Sequence, residues 1–397
     1  MSSPSVRHSD VDACPGALRL HAAADGPLAR VRLPGGLLTG AQVATLATIA
    51  RRWGDDHLEI TSRANAQLRA LVEAPAQALA EALRGCGLLP SETHELVRNI
   101  AAVPTAGGWE VRPLVRALDR AVCAEPGLAG LPGRFLFAVG PAPAAADLAA
   151  VETAEGAAIL FAGRDEGLRV PVDAVVAALT AGAYSFLEVR AERSVPAWRL
   201  RELADGPAEV ATRTATRLGV ALNPSSAVTP PVATEPIGVV EQADGRFAAA
   251  ALAPLGLLHQ TQLAVLAEAG DLTVTPWRGV VVLDQGRDDA ERWLRDLAGV
   301  GLEVAPGSRW SGVTACAGRP GCAKALADVR HDADAATTFG EGLPVHWIGC
   351  ARGCGSPAGV HVRVEATGDG YTVTGPQGSG TAPVSGVGAL VTRARRA

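Results

Sequence analysis

Two stretches of the chain, about 220 residues apart, repeat one order of apolar and polar positions. The first reads GGLLTGAQVATLATIARRWGDDHLEITSRANAQLRAL over residues 35 to 71; the second reads LGLLHQTQLAVLAEAGDLTVTPWRGVVVLD over residues 255 to 284. Each carries Gly-Leu-Leu, a Gln four residues after the second Leu, an apolar helical stretch, a polar break and a short strand ending at a Thr. Val43, Leu46, Ala47, Ile49 and Ala50 mark one helical face in the first copy, and Leu263, Val265, Leu266 and Ala269 do so in the second. Thr39 suits the N-cap of the first helix, because its hydroxyl can accept an orphan backbone N–H. The strands are expected over 58–61 and 272–275, each followed by an arginine, Arg63 and Arg278, in what reads as the same place of the repeat. A repeat this long indicates a duplicated domain, since solenoid periods are shorter.

Between the copies, Val111, Leu114, Val115, Leu118 and Val122 have helical spacing, while FLFAV (135–139) and AAILFAG (157–163) read as buried strands. NPSSAVTPPVATEP (223–236) reads as a linker. After the second copy come the strands GVHVRVE and YTVTG and a terminal helix. The pattern predicts a mixed helix-and-sheet chain with two pseudo-equivalent halves.

Cysteine spacing changes the picture most. Cys316 and Cys322 form C-x5-C, and after a 27-residue gap Cys350 and Cys354 form C-x3-C, in the segments CAGRPGC and GCARGC. Four soft thiolates from two loops suit an iron–sulfur cluster. Structural zinc is the first alternative, although its knuckles are usually tighter. Disulfides are the second, and no secretory leader or other sign of an oxidising compartment is legible. Cys14, Cys86 and Cys123 are scattered and read as small core fillers.

Composition mainly excludes. With 397 residues the chain is long enough for two or three domains with real cores. The net charge of −5 gives no reason to expect nucleic acid. No run of about 18 uncharged apolar residues is present, so no membrane partner is expected and the cytoplasm is the default location. The first dozen residues resemble a loose tail. No G-x-G-x-x-G after a strand and no G-x-x-x-x-G-K-[ST] is present, so electrons are expected from a separate donor, such as a ferredoxin or flavin reductase.

The repeat, the cysteine spacing and several basic motifs together resemble the sulfite/nitrite reductase superfamily over roughly residues 15 to 390. The resemblance implies a duplicated α+β fold, with ferredoxin-like half-domains alternating with α/β domains about a pseudo-twofold axis. It divides the chain into a tail (1–14), half-domain 1 (15–75), α/β domain 1 (76–222), the linker (223–236), half-domain 2 (237–305) and a cluster-binding α/β domain 2 (306–397). It also implies that Cys316, Cys322, Cys350 and Cys354 hold a [4Fe-4S] cluster. ITSRANAQLR resembles the family's T-R-x-x-x-Q segment and places Arg63 at a tetrapyrrole or substrate pocket. ELVRNIAAVPTAG resembles R-N-(V/I)-x-x-x-P-x-x-G and points Arg98 there. LPGRFLF resembles L-P-x-K-F-K, with Arg134 at the first basic position and Leu136 in place of the second. That lost cation weakens the expectation of sirohaem with sulfite as substrate, because both need positive charge.

Within the superfamily, GCARGCGSP, VTPWRGVVV and VPAWRLREL are more similar to the shorter precorrin-3B synthase branch. That resemblance implies O2-dependent hydroxylation of precorrin-3A at C20 with lactone formation, a [4Fe-4S] cluster and scope for a mononuclear non-haem iron. Sirohaem belongs to the alternative, a sirohaem-dependent assimilatory sulfite or nitrite reductase. Arg63, Arg98 and Arg134 are then the candidates for gripping the carboxylate arms of the acidic tetrapyrrole. Arg319, Lys324 and Arg352 flank the cysteines, as a solvated rim or as charge compensation. His331, His346 and His361 fall near them without the spacing of a facial triad, and read as structural. The remaining rivals are an electron carrier and a zinc-stabilised scaffold.

Overall fold

The computed structural model describes residues 14–103, 108–141, 146–223, 228, 234–338, 341–357 and 359–396. The expected tail, apart from Cys14, and most of the expected linker lie outside the described residues. Among the described residues, four five-stranded sheets organise the fold, and they fall into two pairs of matching topology.

The first pair is made by the repeat, and it is interlocked. One sheet runs His21–Ala23, Gly26–Val31, Ala66–Leu68, His57–Ile60, and then takes Leu257–His259 from the second copy. Its twin runs Gly238–Glu241, Phe247–Leu252, Gly279–Gln285, Asp271–Val274, and takes Leu37–Thr39 from the first copy. Each Gly-Leu-Leu segment, which period alone does not mark as a strand, thus completes the other copy's sheet. Leu38 pairs with Leu272 and Leu258 with Leu58. The exchange requires close backbone approach at Gly36, whose φ is 70°: a Cβ there would stand 2.0 Å from the carbonyl oxygen of Val274. The helices Gly40–Trp53 and Gln260–Leu266 follow the exchanged strands. Thr39 caps the first as expected, in a reciprocal box with Gln42. Both repeat glutamines do the same work: Gln42 Oε1 accepts the N–H of Thr39 at 2.9 Å and Gln262 Oε1 that of His259 at 2.8 Å. The two copies share one core, in which Leu46, Ile49 and Leu58 pack with Leu263, Leu266 and Leu272.

The second pair of sheets carries the mixed topology. Ile100–Ala102, Phe137–Val139 and Leu148–Thr153 are parallel neighbours, extended by the antiparallel strands Gly156–Phe161 and Arg164–Val170. The C-terminal sheet repeats this with Val313–Ala315, Val345–Ile348, Val362–Ala366, Tyr371–Gly375 and Gly378–Ala382. The expected helix is present at Val111–Ala124 and the terminal helix at Val387–Arg395. The helix Val175–Glu192 lies over the first of these sheets; with its preceding turn it is apolar enough to cross a membrane by length and composition. Here Val175, Leu179, Phe186 and Val189 bury its inner face in the core with Phe135 and Phe137.

Candidate functional site

The last sheet decides where the cysteines go. Val313–Ala315 and Val345–Ile348 are adjacent parallel strands, so their C-terminal ends open on the same edge, where mixed sheets commonly place ligands. Cys316 follows the first strand directly, and Cys350 stands two residues beyond the second. The loops are knitted to each other. The N–H of Cys316 donates to Trp347 O at 2.8 Å, and that of Leu326 to Gly349 O at 2.8 Å. The N–H of Gly349 donates to Cys316 Sγ at 3.2 Å. A side chain at Gly349 would meet Ala325 at 2.6 Å, so glycine lets the loops touch. Cys316, Cys322 and Cys350 are half-buried and Cys354 is exposed, all as free thiols. Burial raises the Cys354 thiol above its ordinary range, against the pull of Arg352, and the charges of Cys316, Cys350 and Cys322 act in the same direction as burial. Among the described residues, no three His, Cys, Asp or Glu side chains close on a single metal ion. Four thiols on two touching loops, with a backbone N–H already aimed at one sulfur, are a fitting donor set for a cluster. The other parallel-strand sheet has Val103 and Gly140 after the matching strands and no cysteine there.

Among the described residues, His331, His346 and His361 each make separate contacts. His346 is fully buried, with Nδ1 2.7 Å from Thr314 Oγ1 and Nε2 2.9 Å from Cys354 O, so both ring nitrogens are engaged. Its ring holds the Cys354 turn to the sheet. His361 Nδ1 lies 2.8 Å from Gly359 O, and His331 uses its backbone N–H on Asp328 at a helix N-terminus. Arg319, one of the flanking cations, donates Nε to Ala325 O at 2.8 Å and braces the first loop.

The sequence-selected arginines separate on inspection. Arg63 reaches Gly133 O at 3.5 Å and lies half-buried among other cations, Arg199 and Arg30. Burial, then the charge of Arg199, lowers its pKa to about 10. Arg98 goes elsewhere: Asp119 holds it in a bidentate pair at 2.7 Å, and Leu88 O takes Nη1 at 3.2 Å. Its guanidinium is committed to the fold, and it is the adjacent Asn99 that turns toward Arg63, donating to Gly133 O at 2.9 Å. Arg134 stacks on Trp198 with its guanidinium carbon 4.9 Å from the ring centroid. Leu136 is buried, and its N–H donates to Asp147, which pairs with Arg199 at 2.7 Å.

One residue that motif reasoning passed over stands out. Arg32, just past the strand Gly26–Val31, is 3 % exposed; Nε donates to Leu96 O at 3.3 Å, but Nη1 and Nη2 have no hydrogen-bond partner. Burial, then the charge of Arg30, drags its pKa down to about 9. A buried guanidinium edge without a partner is costly and fits a carboxylate or other anion brought from outside. The signal in sequence was an arginine at a strand end beside the Pro-Gly-Gly turn (LARVRLPGG).

Arg278 calls for a correction. The reading that it occupies Arg63's place in the repeat is off by one residue. In the first copy the Asn65 N–H returns to Thr61 Oγ1, and Ala64 takes the left-handed φ of 54°. In the second the Gly279 N–H returns to Thr275 Oγ1, and Arg278 takes φ 68°. Arg278 therefore matches Ala64, and Trp277 matches Arg63. The side chains consequently leave the two turns in different directions.

With this geometry in hand, known proteins give the class. Residues 21–86 match the nitrite/sulfite reductase ferredoxin-like half domain. The chain is 28% identical to a precorrin-3B synthase of a Sinorhizobium species, over 90% of this chain and 81% of that one. A ferredoxin–nitrite reductase of Synechococcus elongatus is 34% identical, over 28% of this chain and 24% of that enzyme. The NirA protein of Mycobacterium tuberculosis superposes with a TM-score of 0.72 at 18% identity, covering 92% of this chain and 80% of NirA, and shares the fold. Along most of its length the chain is similar to members of the nitrite/sulfite reductase-like superfamily, and it has their duplicated α+β fold. The named relatives are enzymes, a reductase among them, and they support an oxidoreductase.

Proposed function

We propose that the chain is a precorrin-3B synthase, an O2-dependent monooxygenase that hydroxylates precorrin-3A at C20 with lactone formation in aerobic cobalamin biosynthesis. One observation carries the reading: the likeness to a precorrin-3B synthase runs along 90% of the chain, whereas that to the nitrite reductase covers 28%. Cys316, Cys322, Cys350 and Cys354 are the proposed ligands of a [4Fe-4S] cluster, which when bound supplies single electrons. Arg32 and Arg63 grip substrate carboxylates, and their desolvated guanidinium groups favour an anion over water. Arg134, propped on Trp198, stands at the half-exposed margin of the same region. Arg98 contributes by fixing the segment that presents Asn99. Electrons come from an external donor, a ferredoxin or flavin reductase, and the working compartment is the cytoplasm.

In this reading the division of the chain is 15–75, 76–222, 237–305 and 306–397, with one adjustment. The helix Ala76–Gly85 buries Leu79, Ala80 and Leu83 in the shared core of the repeat, so the first half-domain extends through it.

A second reading, a sirohaem-dependent sulfite or nitrite reductase, is favoured locally by 43% identity to a sulfite reductase hemoprotein component of Acidithiobacillus ferrooxidans over 15% of this chain. Anaerobic purification followed by optical and EPR spectroscopy and acid extraction of pigment separates the two. Cluster absorption without extractable sirohaem supports the synthase; a sirohaem Soret band replaces it with the reductase.

A further inference from the structure

We propose that Arg278 is the charge-compensating residue of the four-cysteine centre, its guanidinium offsetting negative charge at the Cys354 turn. The inference rests on the iron–sulfur reading above. The second repeat meets the Cys354 turn through this side chain, and the turn from Thr275 to Gly279 holds it at some cost. Arg278 has φ 68°, left-handed for a residue with a long side chain, fixed by its N–H to Thr275 O at 2.9 Å and by Gly279 N–H to Thr275 Oγ1 at 3.0 Å. Its stem lies against Gly256, where an added Cβ would stand 2.6 Å from Arg278 Cδ. From there the head enters the fold's interior: the residue is 8 % exposed. A Cβ on Gly355, the residue after Cys354, would stand 3.6 Å from Arg278 Nη2 and 3.5 Å from His346 Cε1.

The surrounding charges are already spent on one another. Arg69 is paired with Asp25 at 2.8 Å, and Glu59 with Arg330 at 3.0 Å, while Gln67 donates to the second oxygen of Glu59 at 3.0 Å. Within this buried group two carboxylates face three guanidinium groups, and the surplus positive charge belongs to Arg278, whose Nη1 has no hydrogen-bond partner; Arg352, the other cation acting on Cys354, is exposed to solvent. Burial lowers its pKa to about 10, with Glu59 pulling the other way, so it is charged at neutral pH. A fixed buried cation beside a thiolate-ligated centre favours the more negative, reduced state of that centre.

The test is an EPR-monitored redox titration of the anaerobically prepared full chain, with iron and acid-labile sulfide measured on each sample. Wild type, Arg278→Lys and Arg278→Gln are expected to hold the same iron and sulfide. Arg278→Gln should titrate at a more negative potential, and Arg278→Lys should stay near wild type. Should Arg278→Gln load poorly, Glu59→Gln, which removes the nearest negative charge, should move the potential the opposite way. Unchanged potentials in loaded variants overturn the proposal. A wild type devoid of iron and sulfide overturns the iron–sulfur reading itself, which these variant measurements would not.

Discussion

Arg69 and Gly321 are separated by 252 positions in sequence, yet Arg69 Nη2 donates to the Gly321 carbonyl at 2.7 Å. The same guanidinium is gripped by Asp25 through two bonds of 2.8 and 2.9 Å. The first half of the repeat therefore holds the backbone immediately before Cys322. A side chain at Gly321 would meet Arg69 Nη2 at 2.9 Å, so this contact and the glycine depend on each other.

Arg69→Ala leaves Asp25 and a loop carbonyl without their partner. Breaking such a buried pair costs about 3 kcal/mol, read as a lower urea midpoint. The variant should also leave Cys322 more quickly alkylated in iron-free protein. An unchanged alkylation rate would show that the clamp does not govern the loop.

Removing a ligand should be more drastic than removing a brace. Cys350→Ala and Cys354→Ala are each expected to lose the brown colour, the iron and the acid-labile sulfide. A full complement of both in either variant would contradict the ligand assignment.

Arg32 should show opposed effects on folding and binding. Arg32→Met removes two buried nitrogens that lack partners, so the ligand-free protein should melt at a higher temperature. The same variant should bind a carboxylated tetrapyrrole at least tenfold more weakly, the loss of one charge-assisted bond of roughly 1.5–3 kcal/mol. Calorimetry and a fluorescence titration read the two effects separately.

Glu235 gives a pH dependence. It is half-buried, with Oε1 buried and without a partner, and burial alone raises its pKa to about 7 from 4.5. Between those values the native state holds a proton that the unfolded state has released, so stability falls as pH rises through this window. Glu235→Gln should therefore be more stable than wild type at pH 8, by up to roughly 3 kcal/mol, and nearly equal to it at pH 4.5. Equal denaturation midpoints at both pH values would remove Glu235 from the account.

The parts legible in the sequence were those with a local cause. Thr39 and Gln42 announce a helix start because the cap is made within four residues. The spacing from Val111 to Val122 announces a helix because one face is buried. The cysteine pairs announce a shared site because they bracket two loops. What escaped is set by distant partners. Leu37–Thr39 and Leu257–His259 become strands only because each finds an edge in the other copy. Arg98 looked like a pocket residue until Asp119 claimed it, and Arg32 gains meaning only from what fails to surround it. The one-residue offset between Arg63 and Arg278 could be counted from Thr61 and Thr275, but its consequence, a left-handed Arg278 where the first copy has Ala64, is a matter of backbone dihedral.

The central claim is most directly tested by incubating the anaerobically prepared protein with precorrin-3A and a chemical reductant that supplies two electrons per turnover, under 18O2, with mass spectrometry of the tetrapyrrole. A monooxygenase places one atom of O2 in the product and releases the other as water, so the account predicts a hydroxylated lactone carrying one 18O. Unaltered precorrin-3A, with turnover of sulfite or nitrite by the same preparation, would contradict it.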